Sequence, residues 1–402
     1  MKSNQSSTRA VHAGSQRHNN FHTIPTPITQ AATYTFTDTA ELTEFMHQKV
    51  WGGHDEGFRE EYGRYGNPSM DAVEGRLAAL EGGESALLYA SGMAAITNFL
   101  LASLPTGAHI ILTDDCYRRT RQFCMTYLKR LGITTTVVSL GDYDGLEAAI
   151  DAERTRVIIS ESPTNPYLRI VDFARLAAIG KRHKVRTLID STFGTPINQQ
   201  PLAFGIDYVV HSATKYLAGH HDLLAGVIVG RRSAIAALRQ AQGVLGAVVA
   251  PQTAFLLERS LKTLALRIAK HNENGLRIAT FLEKHPAIER VWYPGLASHP
   301  DHDLAIQQMQ GFGGVVSFTV KGNHTTTSHF IDRLEIPYIA PSLGGTESLV
   351  EQPAIMSYYD REPEERLALG IPDNLVRLAT GIEDAEDLIA DIEQALEGEG
   401  AA

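Results

Sequence analysis

Short apolar runs alternate with stretches of helical apolar spacing through the middle of the chain. Seven runs predict strands, at 85–89, 109–113, 135–140, 157–160, 187–190, 208–211 and 226–229. Helical spacing predicts helices at 70–81, 91–104, 146–152 and 173–183, and the first ends at the stop signal Gly82–Gly83. Strands that alternate with helices are typical of an α/β fold. We therefore expect a mainly parallel seven-stranded sheet with helices on both faces.

The two ends of the chain differ from this middle part. Residues 1–60 contain Pro25, Pro27 and a Gly/His-rich segment at 51–57, a pattern that predicts an irregular arm rather than a core element. A long helical stretch at 256–284 leads out of the α/β domain. Beyond it, strands at 289–292, 315–320 and 374–380 and helices at 303–309, 327–334 and 385–396 predict a smaller α+β domain. The expected division is an N-terminal arm at 1–62, an α/β domain at 63–260 and a C-terminal domain at 261–402.

Composition narrows the class of protein. The chain has 402 residues, of which 43% are hydrophobic and 20% charged, as in ordinary globular proteins. Its formal net charge of −10 argues against nucleic acid or an anionic membrane as a partner. The polar start resembles no signal peptide, and no apolar run is long enough to cross a bilayer. With two cysteines, Cys116 and Cys124, at no metal-ligand spacing, we expect a soluble cytoplasmic protein without a metal site.

Polar residues follow several of the predicted strands, where ligands of open α/β sheets bind. Ser91-Gly92-Met93 opens a helix, so it is either a phosphate site or a plain serine N-cap. Tyr117 either offers a flat face to an aromatic ligand or packs at a loop edge. Asn165 lies in a proline-rich turn, and Asp190 either pairs with a protonated ring nitrogen or caps a turn. Each signal alone leaves both interpretations open.

The segment His211-Ser212-Ala213-Thr214-Lys215 follows the sixth predicted strand and brings two hydroxyls and an amine together. Hydroxyls bind phosphate oxygens, and a desolvated lysine reacts with carbonyl groups. A lone lysine is otherwise a solvated surface charge, and spacing does not decide between the two. The neighbouring His220-His221-Asp222 lacks further ligands at metal-site spacing. P-loop, GxGxxG, GxSxG and HExxH motifs are missing from the sequence, which disfavours ATP, dinucleotide, serine-hydrolase and zincin functions.

Taken together, these segments resemble the Cys/Met-metabolism family of pyridoxal-phosphate enzymes of fold type I, over nearly the whole chain. The most specific part is 207–216, Asp-Tyr-Val-Val-His-Ser-Ala-Thr-Lys-Tyr, which resembles the cofactor-lysine signature of that family. Supporting matches lie at 62–68, 91–94, 160–166, 342–345, 375–378 and 381–384. Within the family, the segments 115–121, 336–342 and 351–358 are most similar to the plant-like cystathionine γ-synthases.

The resemblance implies a role for each candidate in holding pyridoxal 5'-phosphate. Lys215 would form a Schiff base with the cofactor and then shuttle protons. Asp190 would keep the pyridine nitrogen protonated, and Tyr117 would stack on the ring. Asn165 would also lie at the cofactor. The groups implied at the phosphate are the amides of Gly92 and Met93 and the hydroxyls of Ser212 and Thr214.

The resemblance also implies a substrate clamp and a shared active site. Arg377 would bind the substrate carboxylate through its two-pronged fork, helped by Ser342 and Asn165. Tyr62 and Arg64 would reach the cofactor phosphate of the neighbouring subunit. Active sites shared in this way imply a dimer, and the family resemblance implies a homotetramer built from two dimers.

Two reactions at the γ-carbon of an amino acid follow from the resemblance. In γ-replacement, an activated homoserine ester would react with cysteine to yield cystathionine, through an external aldimine and a ketimine. In γ-elimination, a lyase would release a 2-oxo acid or homoserine from methionine, cystathionine, canavanine or a similar amino acid. Arg118, Arg119 and Arg121 either favour an anionic ester group or serve only solubility. A cofactor-binding regulator without turnover is disfavoured, because a binder needs neither the lysine nor the clamp. An α/β enzyme with another cofactor would lack the visible absorbance of the Schiff base.

Overall fold

A computed structural model describes residues 5–15, 19, 22–52 and 60–397. The α/β part holds seven strands: β1 (Ser85–Tyr89), β2 (His109–Thr113), β3 (Thr134–Val138), β4 (Thr155–Glu161), β5 (Arg186–Asp190), β6 (Tyr208–Ser212) and β7 (Gly226–Gly230). The C-terminal part holds five more: β8 (Ile288–Trp292), β9 (Val315–Val320), β10 (Tyr338–Ile339), β11 (Leu349–Glu351) and β12 (Leu375–Ala379). Every predicted strand is present, with bounds shifted by two residues at most.

Sixteen α-helices accompany these strands within the described residues. Those before β7 are α1 (Ser6–His12), α2 (Thr39–His47), α3 (Pro68–Glu81), α4 (Gly92–Ser103), α5 (Arg118–Gln122), α6 (Tyr143–Ala148), α7 (Phe173–His183) and α8 (Thr195–Asn198). Those after it are α9 (Arg232–Leu245), α10 (Pro251–Leu261), α11 (Leu264–Lys284), α12 (His302–Gln308), α13 (His324–Arg333), α14 (Pro353–Met356), α15 (Pro363–Ala368) and α16 (Ala385–Glu397). Short π-helical turns lie at Gln48–Gly52 and Phe123–Leu128, and a 3₁₀ turn at Pro201–Phe204.

The large sheet has the strand order β1-β7-β6-β5-β4-β2-β3. Strand β7 runs antiparallel to both of its neighbours, and the other pairs are parallel. The expected mainly parallel seven-stranded α/β sheet is therefore confirmed. Because β4, β5 and β6 are parallel neighbours, the loops that follow them leave the sheet at one edge.

Side chains of successive strand residues point to opposite faces of the large sheet, so both faces are covered. Ile110 and Leu112 of β2 join one apolar cluster, which includes Phe99 of α4. Ile111, between them, joins another cluster with Leu176 of α7. This alternation explains why the strands read as continuous apolar runs in the sequence.

The smaller sheet has the order β10-β11-β12-β9-β8. Strand β12 runs antiparallel to β11 and β9, and its register places Arg377 directly opposite Glu351. Arg377 thus lies on a central strand, where neighbours on both sides fix its backbone.

The long helix predicted at 256–284 is two helices, α10 and α11, with Lys262–Thr263 between them. The guanidinium of Arg267 accounts for the break, since its Nη2 donates to the Ser260 carbonyl at 3.0 Å. That carbonyl lies in the last turn of α10, where main-chain oxygens lack partners within the helix. Helix α9 was missing from the predicted elements.

The N-terminal region is less irregular than its sequence predicts. Helix α1 forms because Ala10 is buried and its carbonyl accepts a hydrogen bond from the buried guanidinium of Arg76. Helix α2 begins at an N-cap, Asp38, whose carboxylate accepts from the amides of Ala40 and Glu41 at 3.0 and 2.8 Å. The expectation of an arm without regular structure is therefore wrong for these two segments. Residues 53–57 of the predicted Gly/His-rich segment lie outside the described residues.

Candidate active site

Lys215 follows the carboxyl end of β6, in a tight turn closed by its own amide, which donates to the Ser212 carbonyl at 3.1 Å. Arg267 holds the next residue, because its Nη1 donates to the Tyr216 carbonyl at 2.7 Å. The loop after β10 also presses on this turn. A Cβ at Gly344, which has a φ of +78°, would come within 2.6 Å of the Tyr216 nitrogen. Its own turn and two distant segments, at Arg267 and Gly344, thus fix the position of Lys215.

Ser342 connects the lysine to the arginine of β12. The Lys215 Nζ donates to the Ser342 Oγ at 2.6 Å, and Arg377 Nη2 donates to the Ser342 carbonyl at 2.9 Å. The φ of Ser342 is 101°, in the region that non-glycine residues seldom adopt. Both polar ends of this strained residue are therefore used to hold functional groups.

Arg377 is held by partners on three segments. Its Nη1 donates to the Asn165 Oδ1 at 3.0 Å and lies 3.1 Å from the Glu351 Oε1 in an ion pair. Its Nε is buried and has no hydrogen-bond partner among the described residues. An arginine fork with an unused edge is suited to bind a carboxylate. Lys215, Ser342, Arg377 and Asn165, all predicted site residues, therefore form one connected group.

The expected ring-nitrogen partner, Asp190, ends β5 and is held by a residue that the sequence analysis did not single out. Thr192 donates to the Asp190 Oδ1 from its amide at 3.0 Å and from its hydroxyl at 2.5 Å. The same Thr192 hydroxyl accepts from the Ser212 amide at 2.8 Å. Thr192 thus joins Asp190 to the segment that carries Lys215, and leaves the Asp190 Oδ2 without a hydrogen bond from the described chain.

Tyr117 follows the loop after β2 and is half exposed. Its amide donates to the Glu161 Oε2 at 2.8 Å, and Glu161 is paired with Asp190 in the register of β4 and β5. A buried carboxyl therefore links the backbone of Tyr117 to the strand end that bears Asp190.

Gly92 and Ser212 are in close contact where α4 begins. A Cβ at Gly92 would lie 2.9 Å from both the Cα and the Cβ of Ser212, so only glycine fits. Ser91 does cap the helix, accepting from the Ala94 amide at 3.1 Å, and Met93 stands in the first turn. The Thr214 hydroxyl donates to the Ala225 carbonyl at 3.2 Å and accepts from the Ala225 amide at 3.0 Å. The first amides of α4 and Ser212 thus meet at one helix N-terminus, which suits an anion, whereas the Thr214 hydroxyl bonds Ala225.

Tyr62 and Arg64 lie apart from this group within the described chain. Tyr62 forms a bridge with Thr33, and Arg64 donates from Nη1 to the Gly243 carbonyl. The Arg64 guanidinium lies 5.4 Å from the ring centre of Tyr62. None of these contacts of Tyr62 and Arg64 involves Lys215.

The three arginines after Tyr117 have different partners. Arg118 donates to the Ser357 carbonyl and lies 3.5 Å from Asp360, so it connects α5 to the C-terminal part. Arg121 donates to the Asp114 carbonyl at 3.0 Å. Arg119 reaches only the adjacent Gln122, at 2.8 Å. Of the three, Arg119 is the one not committed to the main chain.

Burial dominates the ionisation of the site. It lowers the pKa of Lys215 to about 8, with Arg377 acting in the same direction and Glu351 opposing it. Burial raises the pKa of Asp190, and the hydrogen bonds from Thr192 oppose that rise. Glu351 has its pKa raised by burial, against the attraction of Arg377 and Lys215. The site thus combines an amine that loses its proton readily with carboxylates whose pKa values are raised by burial against the opposing effect of specific partners.

A cavity of about 780 Å³ opens beside Lys215, Thr214 and Ser342. The cavity is also lined by residues between β6 and β7 and by residues of β10, of β11 and of the chain between those two strands: His220, His221, Asp222, Leu223, Leu224, Tyr338, Ala340, Pro341, Glu347 and Leu349. Among the described residues, no three His, Cys, Asp or Glu side chains are arranged to hold a metal ion. None of the helices in the described ranges combines the length and apolar character needed to cross a membrane.

Three residues of the site escaped sequence reasoning: Thr192, Glu161 and Glu351. Thr192 stands two residues after Asp190, the spacing at which an Asp side chain commonly accepts a hydrogen bond from a main-chain amide, so its signal was present. Glu161 and Glu351 lie within segments that resemble the family, but their roles depend on strand register. Register places Glu161 beside Asp190 and Glu351 beside Arg377.

These residues suit a phosphorylated aldehyde coenzyme. Lys215 supplies the amine, and the close approach of Gly92 to Ser212 brings the first amides of α4 next to the segment that carries this lysine, which suits a phosphate. The unpartnered Nε of Arg377 suits the carboxylate of an amino acid.

Comparison with known proteins agrees with this chemistry. The family described as Cys/Met metabolism PLP-dependent enzymes matches residues 7–397. The chain is 50% identical to cystathionine gamma-synthase 1, chloroplastic, of Arabidopsis thaliana over 389 residues, which is 96% of this chain and 68% of that protein. It is 41% identical to L-methionine gamma-lyase of Pseudomonas putida, covering 97% of this chain and 96% of that one.

A solved structure, that of metB from Corynebacterium glutamicum, matches with a TM-score of 0.90 at 36% identity and covers 99% of both chains. Fold, site chemistry and sequence therefore agree, and the chain belongs to the Cys/Met metabolism family of pyridoxal-phosphate-dependent enzymes.

Proposed function

We propose that this enzyme catalyses γ-replacement on an activated homoserine ester, with cysteine as the acceptor and cystathionine as the product. The observation that carries the proposal is the connection Lys215–Ser342–Arg377, which puts a readily deprotonated amine one residue away from a carboxylate clamp. The choice of replacement is supported by the 50% identity to cystathionine gamma-synthase 1 of Arabidopsis thaliana.

Each residue of the site has a proposed task in binding the cofactor. Lys215 would bind it covalently, Asp190 would accept a hydrogen bond from its ring nitrogen, and Tyr117 would cover its ring. Asn165, which accepts from Arg377, would help to hold the cofactor. The amides of Gly92 and Met93 and the hydroxyls of Ser212 and Thr214 would hold the phosphate. When bound, pyridoxal phosphate supplies an electron sink that stabilises negative charge at the substrate Cα.

The chain's own groups do the proton transfers and the positioning. Arg377 and Asn165 fix the substrate carboxylate. Ser342 accepts hydrogen bonds from both Lys215 and Arg377 and so holds the amine close to the clamp. Lys215, with a pKa of about 8, takes the Cα proton as a base and returns protons as an acid. The hydrogen bond from Lys215 to Ser342 holds the amine near the clamp.

We further propose that the active sites are shared between subunits. Tyr62 and Arg64 of one subunit would reach the cofactor phosphate in its partner, within a homotetramer built from two dimers. Their separation from Lys215 within one chain is compatible with this role. A cytoplasmic location and small amino-acid substrates complete the proposal.

A γ-lyase is the second candidate, and the arginines after Tyr117 favour it in one respect. The guanidinium groups of Arg118 and Arg121 donate hydrogen bonds to main-chain carbonyls. Of these three arginines, only Arg119 therefore remains to attract an anionic ester. The 41% identity to L-methionine gamma-lyase of Pseudomonas putida supports the same alternative. The lyase would use the same lysine and the same carboxylate clamp. It would differ in letting water, and not cysteine, react after the γ leaving group has departed.

A product assay separates the two candidates. Purified holoenzyme is supplied with phospho-, succinyl- and acetylhomoserine, methionine and canavanine, each with and without cysteine. Cystathionine formed from a homoserine ester only when cysteine is present supports replacement. A 2-oxo acid and ammonia at the same rate with or without cysteine support the lyase. Lys215→Ala is the control and should show no turnover in either case.

A further inference from the structure

A buried ion pair stands behind the carboxylate clamp. Arg377 and Glu351 are 6% and 4% exposed, and their side chains meet at 3.1 Å. The antiparallel register of β11 and β12 places them directly opposite each other, so the pair follows from backbone geometry. Burial of a carboxylate costs desolvation free energy, so we expect Glu351 to have a role other than packing.

The pair restricts how Arg377 can bind an anion. Nη1 is occupied by Asn165 and Glu351, and Nη2 gives one N–H to the Ser342 carbonyl. The remaining donors are the Nε–H, which has no partner in the described chain, and the second N–H of Nη2. Nε and Nη2 form one edge of the guanidinium, so a single planar carboxylate is the ligand that this edge accommodates.

Glu351 also determines the charge that an incoming anion meets. Its carboxylate offsets the charge of Arg377, and Lys215 is committed to the cofactor. An anion of charge −2 is repelled by Glu351 about twice as strongly as one of charge −1, because the Coulomb energy scales with the charge of the ligand. The pair therefore penalises dianions at the clamp more than carboxylates.

We propose that Glu351 is a specificity-determining positioning residue, which reserves the Nε/Nη2 edge of Arg377 for a monoanionic α-carboxylate and rejects dianionic groups such as phosphate. An activated homoserine ester with a dianionic leaving group has two ends that an arginine could bind. Glu351 makes the α-carboxylate the end that binds Arg377 and leaves the ester end in the reacting position. This consequence for substrate orientation rests on the proposed function, whereas the discrimination between anions does not.

The test uses holoenzyme and ligands that do not turn over. L-alanine, which has no γ leaving group, is titrated at pH 8 while the visible absorbance of the cofactor is followed, at several fixed concentrations of inorganic phosphate. The variants are Glu351→Gln, which keeps an acceptor for Arg377 without the charge, and Glu351→Asp, which keeps the charge in a shorter side chain. Glu289→Gln, on an exposed position of the same sheet, is the matched control for loss of one carboxylate.

In Glu351→Gln, we expect the dissociation constant of alanine to fall roughly tenfold and the competition constant of phosphate roughly a hundredfold, since the effect scales with ligand charge. Glu351→Asp should keep the discrimination of the wild type, and Glu289→Gln should change neither constant. Weaker binding of both ligands in Glu351→Gln would mean that Glu351 only supports the fold. Equal changes for alanine and phosphate would also overturn the proposal.

A kinetic measurement then tests substrate orientation. With phosphohomoserine, whose ester end is a dianion, Glu351→Gln should show substrate inhibition, because the phosphate would occupy the clamp in the reversed orientation. Discrimination in the alanine titration without turnover of any homoserine ester would retain the anion selectivity and refute the proposed reaction. Turnover of a homoserine ester without discrimination between alanine and phosphate would support the proposed reaction and refute the anion selectivity.

Discussion

The ionisation of Lys215 gives the sharpest prediction about this enzyme. Burial, with Arg377 as the next cause, lowers its pKa from 10.5 to about 8. At pH 7, roughly one amine in ten would then be neutral, compared with roughly one in 3,000 for an ordinary lysine. The reactive form is therefore enriched about 300-fold, which we expect to appear as rapid capture of pyridoxal phosphate by apoenzyme near neutral pH.

The assay mixes apoenzyme with pyridoxal phosphate at a series of pH values and follows the absorbance of the Schiff base. The rate should rise with pH, since the neutral amine is the nucleophile, and it should level off above a midpoint of about 8. N-α-acetyllysine under the same conditions corrects for the pH dependence of the aldehyde itself. A wild-type midpoint at the ordinary lysine value would refute the reasoning.

Two substitutions should move this midpoint in opposite directions. Arg377→Gln removes a cation that disfavours a second positive charge, so the midpoint should rise, yet stay nearer to 8 than to 10.5 because burial is the larger cause. Glu351→Gln removes an anion that favours the protonated amine, so the midpoint should fall. Thermal unfolding verifies that both variants are folded. Shifts of the same sign in both would contradict the electrostatic assignment.

Three further predictions concern the clamp, the aspartate and the subunit arrangement. Arg377→Ala should raise the KM for the amino acid roughly 100-fold and leave the cofactor dissociation constant nearly unchanged, because a two-bond charged clamp is lost; equal effects on both constants would argue against the clamp. Thr192→Val should weaken cofactor binding roughly tenfold in a titration of apoenzyme, since Asp190 loses a charge-assisted hydrogen bond; unchanged affinity would remove Thr192 from the site. Co-expressed Lys215→Ala and Arg64→Ala chains should recover activity by forming one intact shared site. Co-expressed Lys215→Ala and Arg377→Ala chains should not recover activity, because both residues belong to the same chain's site. Recovery in both mixtures or in neither would contradict the cross-subunit role.

The sequence alone predicted the elements whose formation depends on local pattern. All seven strands of the large sheet were predicted from short runs, because both faces of that sheet are covered and most strand residues are buried, with exposed residues at Thr134, Arg156 and Arg186. Helix α3 has its N-cap Asn67, its Pro68 and its terminal Gly82 within the sequence that forms it. The candidate cofactor lysine, Lys215, was predicted from its position directly after a strand and from resemblance to a family.

Tertiary structure alone decided which groups meet. Ser342 contacts Lys215 across 127 positions of chain, and Asn165 contacts Arg377 across 212. Glu351 became part of the clamp only through the register of β11 and β12, and Arg118 turned out to hold Ser357 rather than to stand free for an anion. Helix α1 depends in the same way on the distant Arg76. Hydrophobic pattern and capping are local properties, whereas side-chain pairs are selected by the packing of segments that lie far apart in the chain, so no local signal in the sequence records them.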